Sequence, residues 1–354
     1  MPHPSFCLNC AKESAGVMGS EERGFVRNGK LVGVYLCVRR VAGEMKAGKM
    51  KATYHAFTYK FAVFVVGWTV FLLVAGALVT SKDAALSVPD WPTSFGTWFP
   101  SLAMLSGGAF FEHSHRVVAG VLGVFILILA VLLWKDERPR VRWMGIAAIF
   151  LVILQGILGG LTVIELLHFW LPVMHACLAQ IMFGILVGIA LVTSKWWMEE
   201  QPQYEDSGAP SIHTAVMLNA LVIFVQVAMG AAFRHQYTSV RPHIYGSFLV
   251  LAVVIWTAAL LRKRFSEVPS LTKVRIALHG IVGLQILLGI GALWTRIATV
   301  NAPRTMMIWF TVTHTVVGAL LFATSVVAVL LCYRLVPTER EEIFATTVVE
   351  EVVA

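Results

Sequence analysis

Eight runs of mostly apolar residues, each long enough to cross a bilayer, constrain this chain more than any other feature in it. A spanning helix needs about 20 such residues, and in hydrocarbon its backbone must satisfy its own hydrogen bonds. The runs lie at about Tyr59–Thr80, Phe111–Trp134, Val141–Ile164, Phe169–Thr193, His213–Phe233, Pro242–Leu261, Val274–Thr295 and Met306–Leu335. An all-α integral membrane fold of eight transmembrane helices follows. Composition agrees: 58% of the 354 residues are hydrophobic and 14% charged, against about 45–50% and about 25% in a soluble domain.

Charge then orients the spans. The formal net charge is +8, read as Lys and Arg gathered on the cytoplasmic side; no aromatic–basic platform supports nucleic-acid binding. Lys135, Arg138, Arg140 and Arg142 follow the second span, and Arg262, Lys263, Arg264, Lys273 and Arg275 follow the sixth. The loop after the third span has no Lys or Arg, and the long loop after the first has only Lys82. With the basic N-terminus, the balance puts both termini inside, although Arg234, Arg241, Arg296 and Arg304 then fall outside and count against it.

The expected organisation is a basic cytoplasmic extension over 1–54, disordered or an over-long start, with no secretory signal. A four-helix half over 55–194, a linker over 195–212, a second half over 213–335 and a cytoplasmic tail over 336–354 follow. No cysteine among Cys7, Cys10, Cys37, Cys177 and Cys332 falls in an expected external loop, so no disulfide framework is read. Cys7 and Cys10 form a C-x-x-C without the second pair that a zinc site needs.

The two halves resemble one another. Leu154-Gln155-Gly156-Ile157-Leu158-Gly159-Gly160 in the third span matches Leu284-Gln285-Ile286-Leu287-Leu288-Gly289-Ile290 in the seventh. His175 and His314 sit in the fourth and eighth spans, while Glu112-His113-Ser114-His115-Arg116 opens the second and Arg241-Pro242-His243 the sixth. The pattern predicts two pseudo-symmetric four-helix bundles related by an axis along the membrane normal, with equivalent residues at similar depth.

Ionisable groups inside a span are costly and functional by default. His115, His175, His243 and His314 each fall in the first turns of an even span, near the outer face in this topology. Opposed imidazoles in an apolar four-helix core suit axial binding of haem. One such histidine alone is more simply bonded to a neighbouring helix; four at matching depth argue otherwise. Zinc is the weaker alternative, because no ligand pair shares one helix face at i, i+4. Glu112 shares a helix face with His115 and is read two ways: an ion pair with Arg116 at i, i+4, or a carboxylate at the edge of a bound macrocycle. The second half has no matching acid, so the first half is expected to react and the second to serve. Gln155 and Gln285 are expected to bond between helices, and Asp90-Trp91-Pro92 to help cover the outer cavity. The outer arginines, with His235, are read either as holders of haem propionates or as interfacial anchors.

These features together resemble the haem A synthases of bacteria and mitochondria. The resemblance rests on Glu112-His113-Ser114-His115-Arg116, Gln155-Gly156-Ile157-Leu158-Gly159, the later histidines and Val88-Pro89-Asp90-Trp91-Pro92, and covers about residues 59–335. It implies oxidation of the C8 methyl of haem O to the formyl of haem A for cytochrome oxidase biogenesis. It further implies haem b on His243 and His314, the substrate haem on His115 and His175, and Glu112 as the catalytic carboxylate. Some bacterial members carry a cysteine pair in external loops, which this chain lacks there. The implied setting is the cell inner (plasma) membrane with haem sites toward the external side. The implied partners are haem O, the bilayer, an electron donor or acceptor and the haem O synthase. A di-haem cytochrome b-like electron carrier would use the same histidines without needing Glu112; a repeat-built transporter would need no haem.

Overall fold

The computed structural model describes residues 53–167, 170–297 and 303–337. The Cys7–Cys10 pair, Cys37, His168, nearly all of the 1–54 extension and most of the 336–354 tail lie outside them. Eight helices are long and apolar enough to cross a membrane: α1 (Ala56–Ser81), α2 (Gly108–Trp134), α3 (Pro139–Ile164), α4 (Leu171–Val192), α5 (Ile212–Arg234), α6 (Val240–Phe265), α7 (Pro269–Ile297) and α8 (Arg304–Leu335). A single-turn helix, Lys195–Met198, follows α4. Among the described residues the only β-type pairing is one isolated bridge, Ser94 to Thr97.

Local chemistry sets the ends. Proline opens α3 at Pro139 and lies in the first turn of α4 at Pro172, where the missing N–H costs nothing. The Ser211 hydroxyl caps α5 by accepting the Thr214 N–H at 3.3 Å. Arg262, Lys263 and Arg264 fill the last turn of α6, complementing the helix dipole. α6 and α7 run four and five residues beyond their expected ends, at Phe265 and Pro269, because helices continue past the apolar stretch that hydropathy detects. Asp206 fixes the segment before α5, taking bonds from Arg264 at 3.0 Å and from the Ile212 N–H at 2.6 Å.

Each set of four helices closes a ring of neighbours. α1 packs on α2, α2 on α3, α3 on α4 and α4 back on α1; α5 to α8 do the same. α2 therefore stands across its ring from α4, and α6 across from α8. Leu122, Leu129, Ala148 and Leu186 lie in the first core, and Val216, Val254, Leu278 and Leu331 in the second. α4 and α8, together with α1, make the junction, where Phe183, Ala319 and Ala323 pack against Val66, Val70 and Leu73. Lipid offers helices no hydrophobic reward for associating, so close packing of small residues holds such a junction. Gly184 and Gly188 serve it, facing Phe322 and Leu330.

Candidate functional site

The even helices carry His115, His175, His243 and His314, each within about three turns of the helix start. Every one of these rings rests on a glycine of the preceding helix. A Cβ added at Gly76 would meet His115 Cε1 at 3.0 Å, at Gly159 His175 Cε1 at 3.1 Å, at Gly230 His243 Cε1 at 2.9 Å, and at Gly289 His314 Cε1 at 3.0 Å. A side chain larger than hydrogen at those four places would displace the imidazole.

Glutamines one turn before three of these glycines bond the histidines. Gln155 Nε2 donates to the His175 carbonyl at 3.0 Å and lies 3.3 Å from its Nε2. Gln226 Nε2 donates to the His243 carbonyl at 2.7 Å and approaches its Nδ1 at 3.2 Å. Gln285 Nε2 lies 3.4 Å from His314 Nε2, while His314 Nδ1 is 3.1 Å from the Gln285 carbonyl. The sequence reading found Gln155 and Gln285 but passed over Gln226, Gly76 and Gly230. The signal for the α5 pair was present: Gln226-x-x-x-Gly230 repeats the spacing of the other two.

In the second half, the rings of His243 and His314 face each other with centroids 6.0 Å apart and planes at 86°. That separation suits two imidazoles reaching one iron through bonds of about 2 Å each, the usual metal–nitrogen length. Buried polar atoms without partners gather at these histidines: His115 Nδ1, His175 Nδ1 and the side-chain oxygens of Gln155, Gln226 and Gln285. Such atoms are rare in a finished interior and fit a polar or metal-bearing ligand. The donor set fits haem.

Glu112 is 5% exposed, and both carboxylate oxygens are engaged. One pairs with Arg116 at 2.8 Å; the other accepts the Val88 N–H at 2.9 Å. Arg116 also donates to the carbonyls of Asp90 at 2.6 Å, Thr93 at 2.8 Å and Val88 at 3.3 Å. The ion-pair reading of Glu112 is therefore observed, and the pair ties the 82–107 loop to α2. Ser94 Oγ to His113 Nδ1, at 2.9 Å, adds a further tie. The Trp91 indole lies on α3 so closely that a Cβ at Gly160 would come within 2.6 Å of it. Asp90 folds the loop tip around itself, accepting from the Thr93 hydroxyl and from the N–H groups of Phe95 and Gly96. Burial acts to raise its pKa, but those hydrogen bonds outweigh it and hold the carboxyl below its usual range.

The other candidates separate. Arg234 donates to the Ala77 carbonyl at 2.9 Å and to Ser81 Oγ at 2.6 Å. Arg304 pairs with Asp83, Arg296 lies over the Phe233 ring and Arg241 is exposed. His235 follows α5; burial first, then cationic Arg234 and nearby His175, push its pKa down to about 4. His213 bonds the Val336 carbonyl and His279 the Arg275 carbonyl, away from the four. Cys177 and Cys332 are free thiols inside spans.

A family model described as cytochrome oxidase assembly protein (COX15-CtaA) matches residues 101–243. Curated relatives named Heme A synthase include one from Geobacillus kaustophilus, 24% identical over 66% of this chain and 68% of the relative. Another, from Geobacillus thermodenitrificans, is 25% identical over the same shares. A third, from Halalkalibacterium halodurans, is 31% identical over 38% of this chain and 44% of its own. Eight apolar helices mark a multi-pass membrane protein, with four glycine-seated imidazoles inside its spans. Within that class, the chain is similar to the Heme A synthases, and its residues 101–243 match the cytochrome oxidase assembly protein family.

Proposed function

We propose that this protein is a haem A synthase, an oxidoreductase that converts haem O to haem A by oxidising the C8 methyl to a formyl group. The observation that carries this reading is the repeated seat of histidine on glycine, with His243 and His314 6.0 Å apart. In this reading the halves are pseudo-symmetric, both termini are cytoplasmic and the histidines lie toward the outer face of the cell membrane. His243 and His314 hold haem b; His115 and His175 hold the substrate haem O.

Bound haem supplies the redox chemistry, and the protein supplies orientation and a largely dry site. The substrate methyl is oxidised to an alcohol and then to a gem-diol that loses water. Each oxidation takes one oxygen from water and releases two protons and two electrons, which pass by way of the second half, at His243 and His314, to an external electron acceptor. Glu112 is the carboxylate nearest that chemistry, held in place by Arg116 and the Val88 N–H. Arg116 holds the 82–107 loop to α2, and Trp91 packs it against α3. The haem O synthase and an electron acceptor are the expected partners.

The test is to purify the protein from cells that make haem O, extract its haem and measure the mass. Haem A is expected. A protein that binds two haems and leaves haem O unchanged would be an electron carrier, and one without a Soret band a transporter.

A further inference from the structure

Four helical hairpins repeat one contact, a glycine on the odd helix beneath a histidine ring on the even one. Three of them add a glutamine four residues before the glycine: Gln155, Gln226 and Gln285. The first hairpin has Leu72 at that place, four residues before Gly76. Leucine packs but cannot donate. Among the described residues no group hydrogen-bonds the His115 ring, and its buried Nδ1 stands without a partner. His175 Nδ1 is also unpaired, yet Gln155 still grips that residue at its carbonyl and lies beside its Nε2. The polar neighbours of His115 do not replace the missing amide. Glu112 is committed to Arg116 and Val88, and Arg116 to the carbonyls of the loop.

Hydrogen-bonded neighbours fix the orientation of a metal-binding imidazole, and losing one costs about 10–100-fold in affinity. A half that exchanges substrate for product needs one ligand that lets go. We propose that His115 is that displaceable ligand: it releases first when haem enters or leaves the first half, while His175, His243 and His314 keep their orientation. The inference rests on placing the substrate haem in the first half and the resident haem in the second.

Carbon monoxide reads this directly, because it takes an iron position only after a histidine–iron bond breaks. The purified ferrous protein carrying both haems should bind carbon monoxide at one of them. Leu72→Gln should weaken that binding by about 10–100-fold at unchanged haem content. Gln285→Leu should make the second haem reactive as well, which assigns the two signals to their halves. The proposal is overturned if the unmodified protein resists carbon monoxide at both haems, or if Leu72→Gln leaves the affinity unchanged. Should Leu72→Gln fail to load haem, Gln285→Leu alone decides: a newly reactive haem supports the proposal and none overturns it. The haem mass in the same preparations reports separately on the enzymatic reading. Unchanged haem O would sink that reading without altering the carbon monoxide result.

Discussion

Glu112 and Arg116 share a buried ion pair whose worth lies in what it organises. Such a pair returns little net energy when both partners are present, but deleting one leaves a charge without compensation. Arg116→Met should therefore destabilise the protein by about 3 kcal/mol and free the 82–107 loop, read as a lower thermal midpoint and new protease cleavage there. Glu112→Gln is the gentler change, since an amide oxygen can still accept the Val88 N–H. It should keep its haem yet form no haem A; normal product from this variant would remove Glu112 from the chemistry and leave it as a loop anchor. Asp90 adds a pH dependence. Its folded pKa lies below the unfolded value of about 3.9, so its stabilisation is complete above that pH and is lost as pH falls through the folded value. Amide exchange across 82–107 should speed up in acid, and Asp90→Asn should abolish that change by removing the titrating group.

A pair of helices is the repeating element here, and its defining residue is a glycine. Gly289→Ala should push the His314 ring aside, since the new Cβ would sit 3.0 Å from it, and overpacking of that kind costs about 1–3 kcal/mol. Gly280→Ala on the same helix meets nothing within 4 Å and should leave haem content unchanged. Equal haem loss in both variants would show that helix propensity, not the imidazole seat, is at stake. The spans were legible in the sequence because length and hydropathy fix them, and the four histidines stood out because charge-bearing groups are expensive in lipid. Gly76 was not legible, because glycine is common in membrane helices and its value depends on which ring lies opposite. The other partners of Arg116, besides Glu112, were hidden for a related reason: they are backbone carbonyls 23 to 28 residues away, and a carbonyl carries no sequence signature. Gln226 could have been found, since only its spacing to Gly230 was needed, but α5 was not compared with α3 and α7.

At the scale of the whole molecule, the question is how two rings of helices are held in one register. Packing does most of it, through the apolar contacts of α4 and α8 with α1 and through Ala77, Ile308 and Val312 nearer the histidines. Arg234 adds a directional link. It reaches from α5 to the C-terminal end of α1, where the helix dipole favours a cation. Its backbone position is one turn beyond Gly230, the seat of His243, and its acceptor Ala77 follows Gly76, the seat of His115. The guanidinium thus ties the backbone beneath one of the four histidines in each half. Charge-assisted hydrogen bonds are worth about 1.5–3 kcal/mol each, and no carboxylate is stranded when this arginine is removed. Arg234→Leu should therefore cost about 3 kcal/mol and lower the midpoint of thermal unfolding followed in the Soret band. Both haems should still load, because the glycine seats and glutamines lie within hairpins that the substitution does not touch. Loss of one haem with the midpoint unchanged would instead make Arg234 a contact of the macrocycle itself.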